Sequence, residues 1–185
     1  MKLTGIILAG GMSSRMGQDK GLMQFRGKQM VQYSIELLSQ FTSQILISSN
    51  NHLYNQFNFP VIADTYKNCG PIGGLHASLS ATTTKWNIIL SCDAPFVDPM
   101  LFLSMQKMIV DQDAIVPKHE KGFEPLFGIY NRRIFPFLEE KIKMQDFKLQ
   151  KILKERNICY FDATDLLKLK SNLFSNINSP EDLII

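Results

Sequence analysis

The stretch Leu8-Ala9-Gly10-Gly11-Met12-Ser13-Ser14-Arg15-Met16-Gly17-Gln18-Asp19-Lys20-Gly21 directly follows the short apolar run Gly5 to Leu8. It puts four glycines and two cations, Arg15 and Lys20, into one strand-to-helix connection. Glycine lets backbone N–H groups approach phosphate oxygens with no Cβ in the way, and the two cations neutralise phosphate charge. The pattern therefore reads as a cradle for a polyphosphate. Two better-known cradles do not fit. GxxxxGK[ST] needs Ser or Thr after the lysine, whereas Lys20 precedes Gly21 and Lys28 precedes Gln29. The GxGxxG dinucleotide spacing is absent as well. Gly17 and Gly21, taken singly, also suit ordinary turns.

Outward from this loop, short β-type runs alternate with longer helical patterns: Gly5 to Leu8, Val31 to Leu38, Ile45 to Ser48, Val61 to Ala63, Leu75 to Ala81 and Trp86 to Ser91. Such alternation predicts an α/β fold in three layers, a mostly parallel sheet with helices on both faces. Ile6-Ile7-Leu8, Ile45-Leu46-Ile47 and Ile88-Ile89-Leu90 are continuously apolar, as strands covered on both sides must be. Further on, the pattern predicts a helix from Pro99 to Val110, strands at Ala114 to Val116 and Leu126 to Tyr130, and helices over Arg132 to Lys141 and Phe147 to Glu155. A late strand at Ile158 to Phe161, an irregular Ser171 to Ser179 and a short helix from Pro180 to Ile185 complete the series.

The 185 residues suit one domain with one substantial core. Cys69, Cys92 and Cys159 are odd in number and never fall in a CxxC or Cys/His ligand pattern, so neither a disulfide framework nor a zinc site is expected. A reducing cytoplasm is the natural compartment. There is no signal-peptide architecture, and Ile6 to Ala9 is far too short to span a bilayer. The formal charge of +3 is mild. Lys141, Lys143, Lys148, Lys151 and Lys154 are interleaved with Glu139, Glu140 and Glu155, which reads as a solvated helix face rather than a nucleic-acid site.

Asp93 follows the run Ile88 to Cys92 and precedes Ala94-Pro95, which places its carboxylate at the C-terminal edge of the sheet, where open α/β folds collect ligands. Beside a phosphate cradle it is a candidate Mg2+ ligand, since Mg2+ accepts one or two carboxylates and completes its shell with phosphate oxygens and water. A capping or turn aspartate is the plainer alternative. Asp64 closes Val61 to Ala63 in the same way, ahead of the second glycine-rich turn Cys69-Gly70-Pro71-Ile72-Gly73-Gly74, and is expected to face the same crevice. His52, His76 and His119 do not cluster or adjoin a nucleophile elbow, so a hydrolase triad is not supported. Cys92 ends an apolar strand without an evident base, and a buried, inert thiol is expected there.

The opening stretch, continued to Leu22, resembles the signature of molybdenum cofactor guanylyltransferases, within the nucleotide-diphospho-sugar transferase-like fold. Gly70-Pro71-Ile72-Gly73-Gly74-Leu75, Ser91-Cys92-Asp93-Ala94-Pro95-Phe96, Glu124-Pro125-Leu126-Phe127-Gly128-Ile129-Tyr130 and Phe174 to Leu183 resemble the later blocks in the same order. The resemblance implies that Leu8, Ala9, Gly10 and Gly11 hold GTP and that Lys20 touches its phosphates. It further implies that Asp64 contacts the nucleotide, that Asp93 binds GTP and Mg2+, and that Asn176 and Asn178 lie near the pterin. Arg15, Lys20 and Asp93 then carry the chemistry, with Mg2+ as cofactor, GTP and molybdopterin as substrates, and molybdoenzymes or their chaperones as protein partners. One departure stands out. Family members can carry an asparagine contact at the end of the second strand, where this chain has Ser48-Ser49 before Asn50. Cytidylyl and sugar-1-phosphate nucleotidyltransferases share close variants of the loop, and a nonenzymatic nucleotide or cofactor carrier is the alternative of another class.

Overall fold

A computed structural model gives the architecture and describes residues 1–10 and 19–177. Ten strands are present among the described residues: β1 (Leu3–Leu8), β2 (Gln24–Phe25), β3 (Lys28–Gln29), β4 (Ile45–Ser48), β5 (Val61–Ile62), β6 (Trp86–Ser91), β7 (Ala114–His119), β8 (Gly122–Phe123), β9 (Ile129–Asn131) and β10 (Ile158–Asp162). The α-helices are α1 (Met30–Ser39), α2 (Pro71–Ala81), α3 (Pro99–Gln106), α4 (Phe135–Lys143), α5 (Leu149–Leu153) and α6 (Thr164–Leu169). Short 3-10 turns occupy Lys20–Leu22, His52–Phe57, Pro125–Phe127 and Arg132–Ile134.

The main sheet runs in the order β10-β7-β9-β6-β1-β4-β5, with β8 paired to β7. Strands β6, β1, β4 and β5 are mutually parallel, and β9 enters antiparallel between β6 and β7. Adjacent residues of β1 divide between two cores. Leu3 and Ile7 pack with α1 and α3 through Val31, Leu38, Leu101 and Phe102, whereas Ile6 and Leu8 pack with α2, α4 and α5 through Ile72, Leu75, Leu138 and Ile152. This period-2 alternation of a run that is apolar on both faces is what a covered central strand requires. The three-layer α/β arrangement expected from the sequence is therefore the one observed. Among the described residues no helix is long and apolar enough to cross a membrane.

Three sequence expectations need correction. Leu126 to Tyr130 is not one strand: Pro125 opens a 3-10 turn over Pro125–Phe127, in which the Phe127 N–H donates to the Glu124 carbonyl at 3.2 Å, and β9 begins only at Ile129. The helix expected over Phe147 to Glu155 shortens to α5, and that over Pro99 to Val110 stops at Gln106. Elements that carry no long apolar period were not anticipated, namely the β2–β3 hairpin, the 52–57 turn, β8 and α6. In the hairpin Arg26 and Gly27 both take positive φ, 48° and 88°, as a tight two-residue turn demands. The helix expected at Pro180 to Ile185 lies outside the described residues.

Candidate active site

Strand register builds the site. Leu8 is paired with Ser91 of β6 on one side and with Ser48 of β4 on the other, and Ser48 is paired with Ile62 of β5. Four parallel strands thus end in one row. Two residues beyond it along each strand stand Asp93, Gly10, Asn50 and Asp64. At about 4.8 Å between neighbouring strands, the ends carrying Asp93 and Asp64 are on the order of 14 Å apart. That span suits a nucleoside triphosphate laid across the edge, and it is too wide for both carboxylates to hold one metal ion.

The β1–β4–β5 side of the edge opens into a cleft of about 560 Å³. Leu8, Ala9, Gly10, Ser48, Asn50 and Asp64 line it, with Gly70, Pro71 and Gly74 of the second glycine-rich turn. Gly70 takes φ 64°, a value that glycine adopts without strain, and turns the chain into α2, whose first helical residue is Pro71. A Cβ on Gly74 would stand 2.6 Å from Ser48 Oγ, so α2 seats against β4 only because that residue has no side chain. Asn50 and Asp64 form a reciprocal pair: Asn50 Nδ2 donates to Asp64 Oδ2 at 3.0 Å and the Asp64 N–H donates to Asn50 Oδ1 at 3.0 Å. This pair has no sequence signature beyond two polar residues at strand ends.

On the β6 side, Lys20 Nζ lies 3.7 Å from Asp93 Oδ2, with side chains 24% and 14% exposed, open enough to meet a ligand. The Ser91 hydroxyl donates to Asp93 Oδ1, and the Asp93 carbonyl accepts from the Ile177 N–H at 2.9 Å. The second bond pins the chain's late segment beside this sheet edge and brings exposed Asn176 next to it. Gly11, Arg15 and Asn178 lie outside the described residues. Cys92 is buried, and burial followed by the neighbouring Asp93 charge pushes its thiol well above the ordinary value, so the inert reading holds. His76 is buried between Tyr66 and Phe135, and burial lowers its imidazole pKa. His119 pairs instead with Glu124 and stacks on Phe174.

The matches to known proteins agree with this arrangement. Residues 5–159 match the MobA-like NTP transferase domain. The chain belongs to this family. A molybdenum cofactor guanylyltransferase of Vibrio parahaemolyticus is 36% identical over 183 residues, covering 96% of this chain and 91% of that protein. A probable molybdenum cofactor guanylyltransferase of Flavobacterium johnsoniae is 31% identical over 184 residues, covering 98% and 94%. Among solved structures, a molybdopterin-guanine dinucleotide biosynthesis protein A from Archaeoglobus fulgidus matches with a TM-score of 0.82 at 28% identity, covering 98% of this chain and 95% of that one. In this MobA-like nucleotidyltransferase the candidate residues Gly10, Asn50, Asp64 and Asp93 stand just beyond the ends of β1, β4, β5 and β6.

Proposed function

We propose that this nucleotidyltransferase moves GMP from GTP to a molybdopterin-type cofactor, giving the guanine dinucleotide and pyrophosphate. The observation that carries the assignment of roles is the single row of strand ends, with Asp64 and Asn50 at one end and Asp93 and Lys20 at the other. The nucleoside occupies the cleft over β4 and β5, with Leu8, Ala9 and Gly10 offering backbone groups and Asp64 contacting it. The triphosphate extends toward Lys20, with Gly11 and Arg15 assigned to the same cradle from the sequence. The guanylyl choice rests on the names of the relatives, which match over nearly the full length of both chains.

The residues suit Mg2+. Among the described residues no three or more His, Cys, Asp or Glu converge into a closed metal cage. A lone partly exposed carboxylate is the donor set expected of an ion that takes most of its shell from phosphate and water. Asp93 would hold it, and bound there Mg2+ would supply charge neutralisation at the triphosphate. The chain's own residues do the remainder. The acceptor phosphate is already an anion and pyrophosphate departs without a general acid, so alignment and charge compensation suffice and no protein nucleophile is required. Lys20 compensates the departing pyrophosphate. The Ile177–Asp93 backbone bond supports giving Asn176 to the acceptor side, with Asn178 assigned there from the sequence.

The test is to incubate the protein with Mg2+, molybdopterin and, separately, GTP, CTP, ATP or UTP, following pyrophosphate and identifying the dinucleotide by mass. Pyrophosphate and a guanine dinucleotide from GTP alone is the expected result. A cytosine product would move the chain to the sister activity, and nucleotide binding without pyrophosphate would favour a carrier.

A further inference from the structure

We infer that Asn51 and Tyr54, acting through Asp19, are positioning residues for Lys20, tying the nucleoside end of the cleft to the phosphate end. The inference rests on the reading of Lys20 as a phosphate-binding group.

Lys20 sits in a 3-10 turn of three residues that has little to hold it by itself: its closing bonds run from Leu22 N to Asp19 O at 3.1 Å and from Met23 N to Lys20 O at 3.2 Å. Its orientation is set by Asp19, both of whose carboxylate oxygens are engaged. Oδ1 accepts from the Gly21 N–H at 3.1 Å and from the Tyr54 hydroxyl, and Oδ2 accepts from Asn51 Nδ2 at 3.0 Å. Held in this way by three neutral donors, Asp19 acts as an anchor for the turn.

The donors are themselves fixed. Tyr54 is fully buried. Asn51 accepts from the Leu53 N–H at 3.0 Å through Oδ1, which leaves its Nδ2 for Asp19, and its own N–H donates to Ser49 Oγ at 3.1 Å. Ser49 and Asn51 follow β4 and line the cleft. One hydrogen-bonded path therefore leads from the nucleoside cleft, through Asn51 and Asp19, to the turn whose lysine faces Asp93 at 3.7 Å.

An isosteric exchange tests this. Asp19→Asn alone sets two amide donors against each other, and Asn51→Asp alone sets two carboxylates together. The two changes combined restore a donor and an acceptor with the sense reversed, and the Leu53 N–H keeps its acceptor. GTP affinity in the presence of Mg2+ is measured by calorimetry on the full chain, each variant being checked for cooperative thermal unfolding. Each single change is expected to weaken GTP binding about tenfold, and the double to recover to within about threefold of the unaltered protein. In a Lys20→Ala background, Asp19→Asn is expected to cost nothing further. An equal loss in both backgrounds, or a double no better than the worse single, would mean that Asp19 merely supports the fold and would overturn the inference. Should Asp19→Asn fail to fold, Tyr54→Phe enters the same cycle with Lys20→Ala, with the same two outcomes. If the unaltered protein binds CTP in place of GTP, the base assignment falls and the cycle is run with CTP. If it binds no nucleoside triphosphate, both readings fall.

Discussion

Replacing Gly21 by alanine is expected to damage stability and nucleotide binding together, through one steric conflict. Gly21 is buried and is absent from the glycines with positive φ, so alanine meets no backbone strain there and the whole effect comes from space. The added Cβ would press against the Tyr54 hydroxyl, with Cys92 Sγ at 3.1 Å and Tyr54 Cζ at 3.2 Å. Tyr54 cannot swing away, because its ring is fully buried and tilted against Phe57 with centroids 6.1 Å apart. Overpacking a rigid site costs roughly 1–3 kcal/mol. Displacing the hydroxyl from the Asp19 carboxylate costs about 1.5–3 kcal/mol more. The loss of chain freedom in the unfolded state returns about 0.4–1 kcal/mol. A net destabilisation of about 2–5 kcal/mol follows, or roughly 5–15 °C in Tm for a chain of this size.

The assay is a double-mutant cycle with Tyr54→Phe, read by urea unfolding and by GTP affinity. Tyr54→Phe removes the obstructing oxygen, so the double variant is expected to be more stable than the sum of the singles by at least about 1 kcal/mol. Additivity to within about 0.5 kcal/mol, or a Gly21→Ala protein as stable as the original, would refute the argument that this glycine is held by the tyrosine.

Asn50→Ala removes both bonds that orient Asp64, and the KM for GTP is expected to rise about tenfold in steady-state assays while kcat changes little. Asp93→Ala is expected to abolish pyrophosphate release while leaving the thermal transition in place, and normal Mg2+-dependent turnover would sink its assignment. Asp113 lies at the opposite edge of the sheet. Burial alone would raise its carboxyl pKa, but Arg133 Nε at 2.7 Å, Arg156 Nε at 2.9 Å and the Asn157 N–H hold it below the ordinary value. A carboxyl lowered by folding stabilises above its unfolded pKa of about 3.9 and loses that contribution as pH falls through the folded value. Asp113→Asn is therefore expected to cost about 1–2 kcal/mol near neutral pH, the arginines being partly solvent-screened. It should also flatten the acid limb of stability measured by urea unfolding at pH 3–5, with GTP turnover unchanged.

The sheet was legible because its strands are apolar on both faces, and Ile6-Ile7-Leu8 and Ile88-Ile89-Leu90 admit few other placements. Asp64 and Asp93 were legible as strand-end carboxylates for the same reason. What escaped reading carries no period. The β2–β3 hairpin has strands of two residues and a turn in which Arg26, not only glycine, takes positive φ. Helix α6 has no fully buried residue to mark a face. The Tyr54–Asp19 bond joins residues 35 apart and the Asn50–Asp64 pair residues 14 apart, and nothing local in either segment announces the partner.

Register explains why these scattered residues nevertheless converge. Side chains alternate faces along a strand, so a slip of one residue between β6 and β1 would turn Asp93 to the side opposite its present one relative to the ends of β1, β4 and β5. The observed pairing of Leu8 with both Ser91 and Ser48 fixes the row, and the Ser91 hydroxyl's bond to Asp93 two residues on repeats the same spacing within β6. Because about three strand spacings separate Asp64 from Asp93, the two carboxylates are too far apart to hold one ion together. The proposed function accordingly gives the nucleoside to Asp64, bound to Asn50 on the cleft side, and the phosphates to Asp93, facing Lys20. Asp19 precedes both in the chain and links the two sides by bonding, its carboxylate already engaged by Tyr54, Asn51 and Gly21. Of the described acidic groups at this edge, Asp93 is the one placed beside Lys20 with an oxygen not committed to a short hydrogen bond, and for that reason the proposed Mg2+ role is given to it.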